Sequence, residues 1–267
     1  MMSEMHSYLT TSLVTVALSL VVNTSAYAGD INVLAAGAAK ELVARTDAPF
    51  TQATGHHIKA TFDTVGAQRE RVEKSERPNV VILSSAAIAQ LNKLGLIDAA
   101  TIRDVGDVQV GLAVNANSGA PDISTPEALR KALLAAKSLA YADPARGATA
   151  GAHFAKVLTA LGITEQIASK VTVLPFGVEV IEAVAAGKFE IGVSHSSEIV
   201  QHKGVRYIGA LPLPHQLATR CQIAALKDRP LGVSLSDFIV TERGRLASRE
   251  SGFDPPRKFI SAGHSAR

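Results

Sequence analysis

One local pattern recurs along this chain: a short apolar strand, a turn of small residues, then a helix start. Its first copy spans residues 31–45, INVLAAGAAKELVAR. The side chains of Ala35, Ala36, Gly37, Ala38 and Ala39 are too small to cover the backbone, so the first unbonded N–H groups of the following helix can face a ligand. The second copy leads from an alternating strand at 58–62 through Asp63-Thr64-Val65-Gly66 into a polar helix at 67–74 carrying Arg69 and Arg71. The third runs from a strand at 138–142 through the loop 143–151, which holds Arg146, Thr149 and Ala150, into a helix at 153–161 ended by Gly162. The fourth passes from 170–174 through Pro175-Phe176-Gly177 to a helix at 178–186 closed by Gly187.

Strands that alternate with helices pair in parallel, because each helix supplies the crossover that parallel strands need. The predicted class is therefore α/β, with the ligand crevice at the carboxyl ends of the strands. Further strands are read at 79–83, ending in Ser84-Ser85, at 108–115, within 191–197, where a buried strand gives way to a polar turn before a helix from Glu198, at 205–211 and at 222–225. A helix at 86–94 stops at Gly95, and Thr125-Pro126-Glu127 opens another that reaches 136. The segment 235–247 reads as one closing helix interrupted by Gly244.

The 267 residues, 47% hydrophobic and 19% charged, suit one large domain or two modest lobes. Residues 13–22 form a Leu- and Val-rich run too short to span a bilayer, and Ala26-Tyr27-Ala28 follows as a small-x-small cleavage site. Residues 1–28 are thus expected to be a signal peptide, although they contain no Lys or Arg, and the mature protein is expected in the periplasm. Cys221 is the lone cysteine, which excludes an intrachain disulfide and a cysteine metal cluster. His56 and His57 are adjacent, point apart and are read as solvated, so neither a metal nor a cofactor is expected. The net charge of +3, scattered and without an aromatic-basic stripe, gives no footprint for nucleic acid and suits a small anionic solute. No Ser-His-Asp order, Walker loop, zinc spacing or dinucleotide fingerprint is present.

Five stretches, INVLAAGAAKELV, FDTVGAQRERV before NVVILSS, ADPARGATAGAHFAKVLTALG, VEVIEAVAAGKFEIGVSH and DFIVTERGRLASRESGFDP, carry a collinear resemblance to the periplasmic solute-binding proteins of ABC transporters, in their molybdate-binding-like group. The resemblance implies a two-lobed fold that closes over its ligand by hinge motion. Lobe 1 would comprise 29–110 and 202–267, with lobe 2 inserted as 111–201. It also implies a monomer that hands its solute to the membrane subunits of a transporter. The positions matching two ligand serines of molybdate binders are Ala38 and, roughly, Val65, and the matching tyrosine position is His195. A tetrahedral oxyanion deprived of two hydroxyl donors loses about 1–3 kcal/mol for each. These departures direct the expectation to a small organic carboxylate, held by N–H groups near Gly37, Ala38, Gly66, Ala150 and Gly177 and by Thr64, Ser84, Arg69, Arg146, Thr149 and His195. Some secreted proteins with the same pattern interconvert cis- and trans-aconitate. That alternative assigns the proton shift to His195 and Glu179, with Asp63 a further candidate.

Overall fold

Strand β1 (Asp30–Ala36) is buried on both faces: Ile31, Val33 and Ala35 enter one hydrophobic core while Leu34 and Ala36 enter another. It pairs in parallel with β2 (His57–Asp63) and with β3 (Val80–Ser84). Every residue of β3 is buried, with Val80 and Ile82 in one core and Val81 and Leu83 in the other. The uninterrupted apolar run there reflects a strand covered on both sides. The computed structural model describes residues 29–256; the expected signal peptide, residues 1–28, lies outside the described residues.

Helices cover both faces of this first sheet. On one side α1 (Lys40–Thr54) packs against α9 (Leu231–Ile239) and α10 (Glu242–Glu250), where Phe50 meets Phe238 edge to face at 5.3 Å. Such a pair adds about 0.5–1.5 kcal/mol beyond its buried area. On the other side α2 (Val65–Glu73) and α3 (Ser85–Lys93) lie together, burying Val72, Ile88 and Leu91.

Strand β4 (Arg103–Asn115) joins the two lobes. Its first half pairs with β9 (Ala218–Ala225), which in turn pairs with β3. Its second half, from Val110, pairs with β7 (Ile191–His195) and β8 (Val205–Ala210), and β7 continues to β5 (Leu139–Ala142) and β6 (Val171–Leu174). The chain thus changes sheets at Gln109/Val110 going out and across Leu211–Leu217 coming back, and β8 lies with the second sheet. Helices α4 (Pro126–Ala135), α5 (Thr149–Ala160), α6 (Thr164–Ile167), α7 (Gly177–Ala185) and α8 (Ser196–Ile199) complete the second lobe. Leu129, Leu133 and Phe154 fill one face of its sheet, and Val180, Ile181 and Ile199 fill the other.

Three readings change. β4 begins five residues before its apolar run, since Arg103–Asp107 is held by β9 pairing and by the Arg220–Asp107 ion pair at 3.0 Å. The closing segment is two helices, broken where Thr241 caps α10 through the N–H of Gly244. Gly244 lies inside α10, where an added Cβ would stand 2.4 Å from the carbonyl oxygen of Phe238. His57 is exposed as expected, but His56 is buried and accepts the N–H of Gly29 at 3.1 Å.

Candidate functional site

The carboxyl ends of β1, β2 and β3 face those of β5 and β7 across a cleft of about 870 Å³, its open mouth included. From lobe 1 it is lined by Gly37, Ala38, Thr64, Val65 and Ser84, and from lobe 2 by Thr149, Ala150, Gly177 and His195. These expected contact residues, drawn from distant parts of the chain, share one cavity.

Three helix starts reach the cleft without a side-chain cap. The residues before them are Ala36, leading through the single 3-10 turn Gly37–Ala39 into α1, Ala148 before α5, and Phe176 before α7. Alanine and phenylalanine have no side-chain oxygen to accept the N–H groups of the first turn, so these donors remain for an occupant of the cleft. Two other starts are capped: Thr64 accepts from Ala67 at 3.2 Å and Ser84 from Ala87 at 3.4 Å. The Ser84 hydroxyl keeps its proton for a ligand. The Thr64 hydroxyl does not, because it donates across the cleft to the carbonyl of Arg146.

That bond belongs to a contact between the lobes at the rim. The Gly66 N–H donates to the Gly147 carbonyl at 3.3 Å, and the backbones approach so closely that a Cβ on Gly66 would lie 2.8 Å from Gly147 Cα. Arg146, expected inside the cleft, spans this rim instead: it lies 3.6 Å from Asp63 and over the ring of Phe176 at 4.9 Å. Gly66 is likewise a rim residue rather than a lining one. Arg69 also falls outside the lining, since its guanidinium is engaged by Glu73 at 3.2 Å and by Gln90. Glu179 is half-buried in the first turn of α7 and does not line the cleft. Among the described lining residues, Lys40 carries the permanent positive charge. Sequence reading passed over Lys40 because it looked like an ordinary exposed residue of an amphipathic helix.

Glu198 was passed over as well. Its side chain is 9% exposed, and its Oε2 accepts the Ser194 hydroxyl and, at 3.4 Å, the His195 N–H. It caps α8 reciprocally with His195, whose ring receives the backbone N–H of Glu198. The cue in the sequence was the three-residue spacing from His195 to Glu198 at a strand-to-helix junction, the geometry of a capping box. Small residues make room for the carboxylate: a Cβ on Gly177 would stand 2.4 Å from Oε2, and one on Gly37 3.0 Å from Oε1. Cys221 also lines the cleft, with burial pushing its thiol up to about 12, so it enters as a neutral group.

Burial lowers the pKa of His195, with Glu198 opposing and His153 adding to the shift. In the unfolded chain this imidazole takes up a proton near its ordinary value of about 6.5, whereas in the fold it resists. Below that value the unfolded state binds more protons, so stability falls as the pH drops and levels off only beneath the folded pKa. Melting curves from about pH 7.5 to 5 are expected to show a smaller decrease for His195→Gln than for the wild type. Equal slopes would mean that this histidine is not held neutral.

A two-lobed α/β fold is also what comparison with known proteins gives. Residues 31–254 match the family model described as bacterial extracellular solute-binding protein. The chain belongs to that family. Among solved structures, this solute-binding protein is similar to the periplasmic molybdate-binding protein of Azotobacter vinelandii, at 15% identity and a TM-score of 0.72 over 85% of this chain and 100% of that one. It is also similar to the sulfate-binding protein of Mycobacterium tuberculosis H37Rv, at 18% identity and a TM-score of 0.66 over 85% and 87% of the two chains. At these identities the likeness shows the fold. In sequence it is similar to a protein of Pseudomonas sp. named aconitate isomerase, 23% identical over 235 residues that make up 84% of this chain and 87% of the relative. Among the described residues of this solute-binding protein, no helix is long and apolar enough to cross a membrane and no group of three metal-ligating side chains occurs.

Proposed function

We propose that this protein binds a small organic carboxylate in the interlobe cleft and delivers it to the membrane subunits of an ABC transporter. The observation that carries this reading is the convergence of three uncapped helix starts, from both lobes, on one cavity beside Lys40. Backbone N–H groups at helix starts and one cation suit an anion. The carboxylate is favoured over a tetrahedral oxyanion because Ala38 and Val65 offer no hydroxyl, and because Phe62, Val108 and Phe176 give the cleft apolar wall for a carbon skeleton. The protein would act as a periplasmic monomer after removal of residues 1–28, its lobes dividing at the sheet change in β4 and across the return segment Leu211–Leu217.

The test is a thermal-shift panel on residues 29–267 with citrate, cis-aconitate, succinate, molybdate, tungstate and sulfate. A true ligand at 100 times its Kd stabilises by about 2.7 kcal/mol, equivalent to a rise of about 5–11 °C for a chain of this size. A rise with at least one carboxylate is expected, reduced in Lys40→Met. A rise confined to molybdate, tungstate or sulfate would overturn the reading.

A second reading, aconitate isomerisation, is favoured by one observation: Glu198 is a buried carboxylate on the cleft wall beside the His195 ring. Such a carboxylate could take the proton from one end of the allylic system and return it to the other as the double bond moves, while His195 Nε2–H polarises a substrate carboxylate. Glu179, the other expected catalytic group, stands outside the lining. Proton NMR of cis-aconitate with the protein decides it: appearance of the trans isomer, lost in Glu198→Gln, supports catalysis, and an unchanged spectrum removes it.

A further inference from the structure

Two acidic side chains line a cleft otherwise arranged for an anion. Asp63 is turned to Arg146 at the rim, 3.6 Å away. Glu198 is different: among the described residues no Lys or Arg lies within salt-bridge distance of it, and its near neighbours are the Ser194 hydroxyl and the His195 ring and N–H. Both hydrogen bonds go to Oε2. Oε1 lies on the Gly37 side, against the bare start of the first helix.

His195 stands next to this carboxylate with an unused donor. Its Nε2 is buried and has no hydrogen-bond partner, although the residue lines the cleft. The ring turns Nδ1 toward Glu198 in the reciprocal cap and leaves Nε2 unpartnered, so we assign the accepting role to Nδ1 and the proton of the neutral ring to Nε2. A buried N–H left unbonded is costly, which makes it a position for a ligand atom that accepts.

The wall therefore offers an acceptor, Glu198, beside a donor, His195 Nε2–H. A sulfate or molybdate dianion has only acceptors and would set its charge against the carboxylate. A hydroxyl satisfies both groups, since its oxygen accepts from Nε2–H while its proton goes to Glu198. We infer that the cleft selects hydroxycarboxylates, with the carboxylate end on the helix starts and Lys40 and the hydroxyl end between His195 Nε2 and Glu198. This rests on the reading of the cleft as a carboxylate site and adds to it the requirement for a hydroxyl, with Glu198 as the specificity-determining residue.

The experiment is titration calorimetry with three matched pairs, each a hydroxy acid and its analogue without the hydroxyl: malate and succinate, citrate and tricarballylate, lactate and propionate. Sulfate is included as a donor-free anion without a carboxylate. At least one pair is expected to show a preference of about tenfold or more for the hydroxy acid, because the analogue leaves a buried donor and a buried acceptor unmet. In Glu198→Gln, which keeps the shape and removes the charge, that preference should shrink by about threefold or more and sulfate should bind more tightly. Equal affinities within every pair, or a preference unchanged in Glu198→Gln, would overturn the inference while leaving a carboxylate site intact. Binding of sulfate by the wild type with no carboxylate bound would overturn the carboxylate reading itself. Should Glu198→Gln fail to fold, the wild-type preference within the pairs still decides.

Discussion

Gly151→Ala is expected to lower the melting temperature by about 6–12 °C. Gly151 is in the first turn of α5, and a Cβ there would fall 1.7 Å from the carbonyl oxygen of Ala142 and 2.8 Å from its carbonyl carbon. The obstructing atoms are backbone of β5, so no side-chain rotation can relieve the clash. The helix must move off the sheet. Overpacking of this kind typically costs about 1–3 kcal/mol, and contact with backbone puts it above that range, at about 4 kcal/mol. Alanine's better helix propensity returns only about 1 kcal/mol. With about 2–4 °C per kcal/mol for a chain of this length, a net loss near 3 kcal/mol gives the stated shift. The same displacement would carry the uncapped start of α5 away from the cleft, so ligand affinity should drop as well. A melting temperature within about 2 °C of the wild type would show that the helix does not depend on this close approach.

Gly66→Ala is expected to weaken ligand binding by about 10–100-fold while leaving the unliganded protein as stable as before, or slightly more stable. Gly66 is in the first turn of α2, where alanine is intrinsically better by up to about 1 kcal/mol. The difficulty arises only across the cleft: its Cβ would stand 2.8 Å from Gly147 Cα and 3.3 Å from the Arg146 carbonyl oxygen. The substitution therefore opposes contact between the lobes and leaves each lobe undisturbed. Relieving a contact of about 1.4–2.8 kcal/mol by holding the lobes apart corresponds to the stated loss. Gly147→Ala is a less clean probe, because Gly147 is left-handed at φ +75° and alanine would add strain within its own lobe. Calorimetry with a carboxylate that stabilises the wild type, beside melting curves without ligand, separates the two effects. Unchanged affinity in Gly66→Ala would mean that the rim contact is not part of the bound state.

The rhythm of the fold could be read directly. Strand, small turn and helix alternate as the sequence suggested, Pro126 opens α4 behind the Thr125 cap, and Gly162 and Gly187 follow α5 and α7 in left-handed conformation. These features are local. Apolar period, capping hydroxyls and glycine at helix ends act over a few residues, and those residues are adjacent in the chain. The cleft-lining small residues were legible for the same reason, since a bare helix start is a property of its own turn.

The charges of the site were not legible. Arg69 and Arg146 had the right chemistry, but Arg69 is taken by Glu73 one helical turn away and by Gln90 on α3, and Arg146 by Asp63 from the opposite lobe. Lys40 and Glu198 line the cleft because of where packing on the sheets places the starts of α1 and α8; the spacing from His195 to Glu198 reports a cap but not the cavity it faces. The first half of β4 and the start of β9 are equally unmarked, being polar segments held by pairing with each other. The α/β class, the order of elements and the positions of the uncapped helix starts could be read from the chain, because each depends on near neighbours. Which charged groups face the cleft follows from the packed fold alone, because a long side chain takes its partner from whatever the fold brings within a few ångströms, wherever that partner lies in the chain.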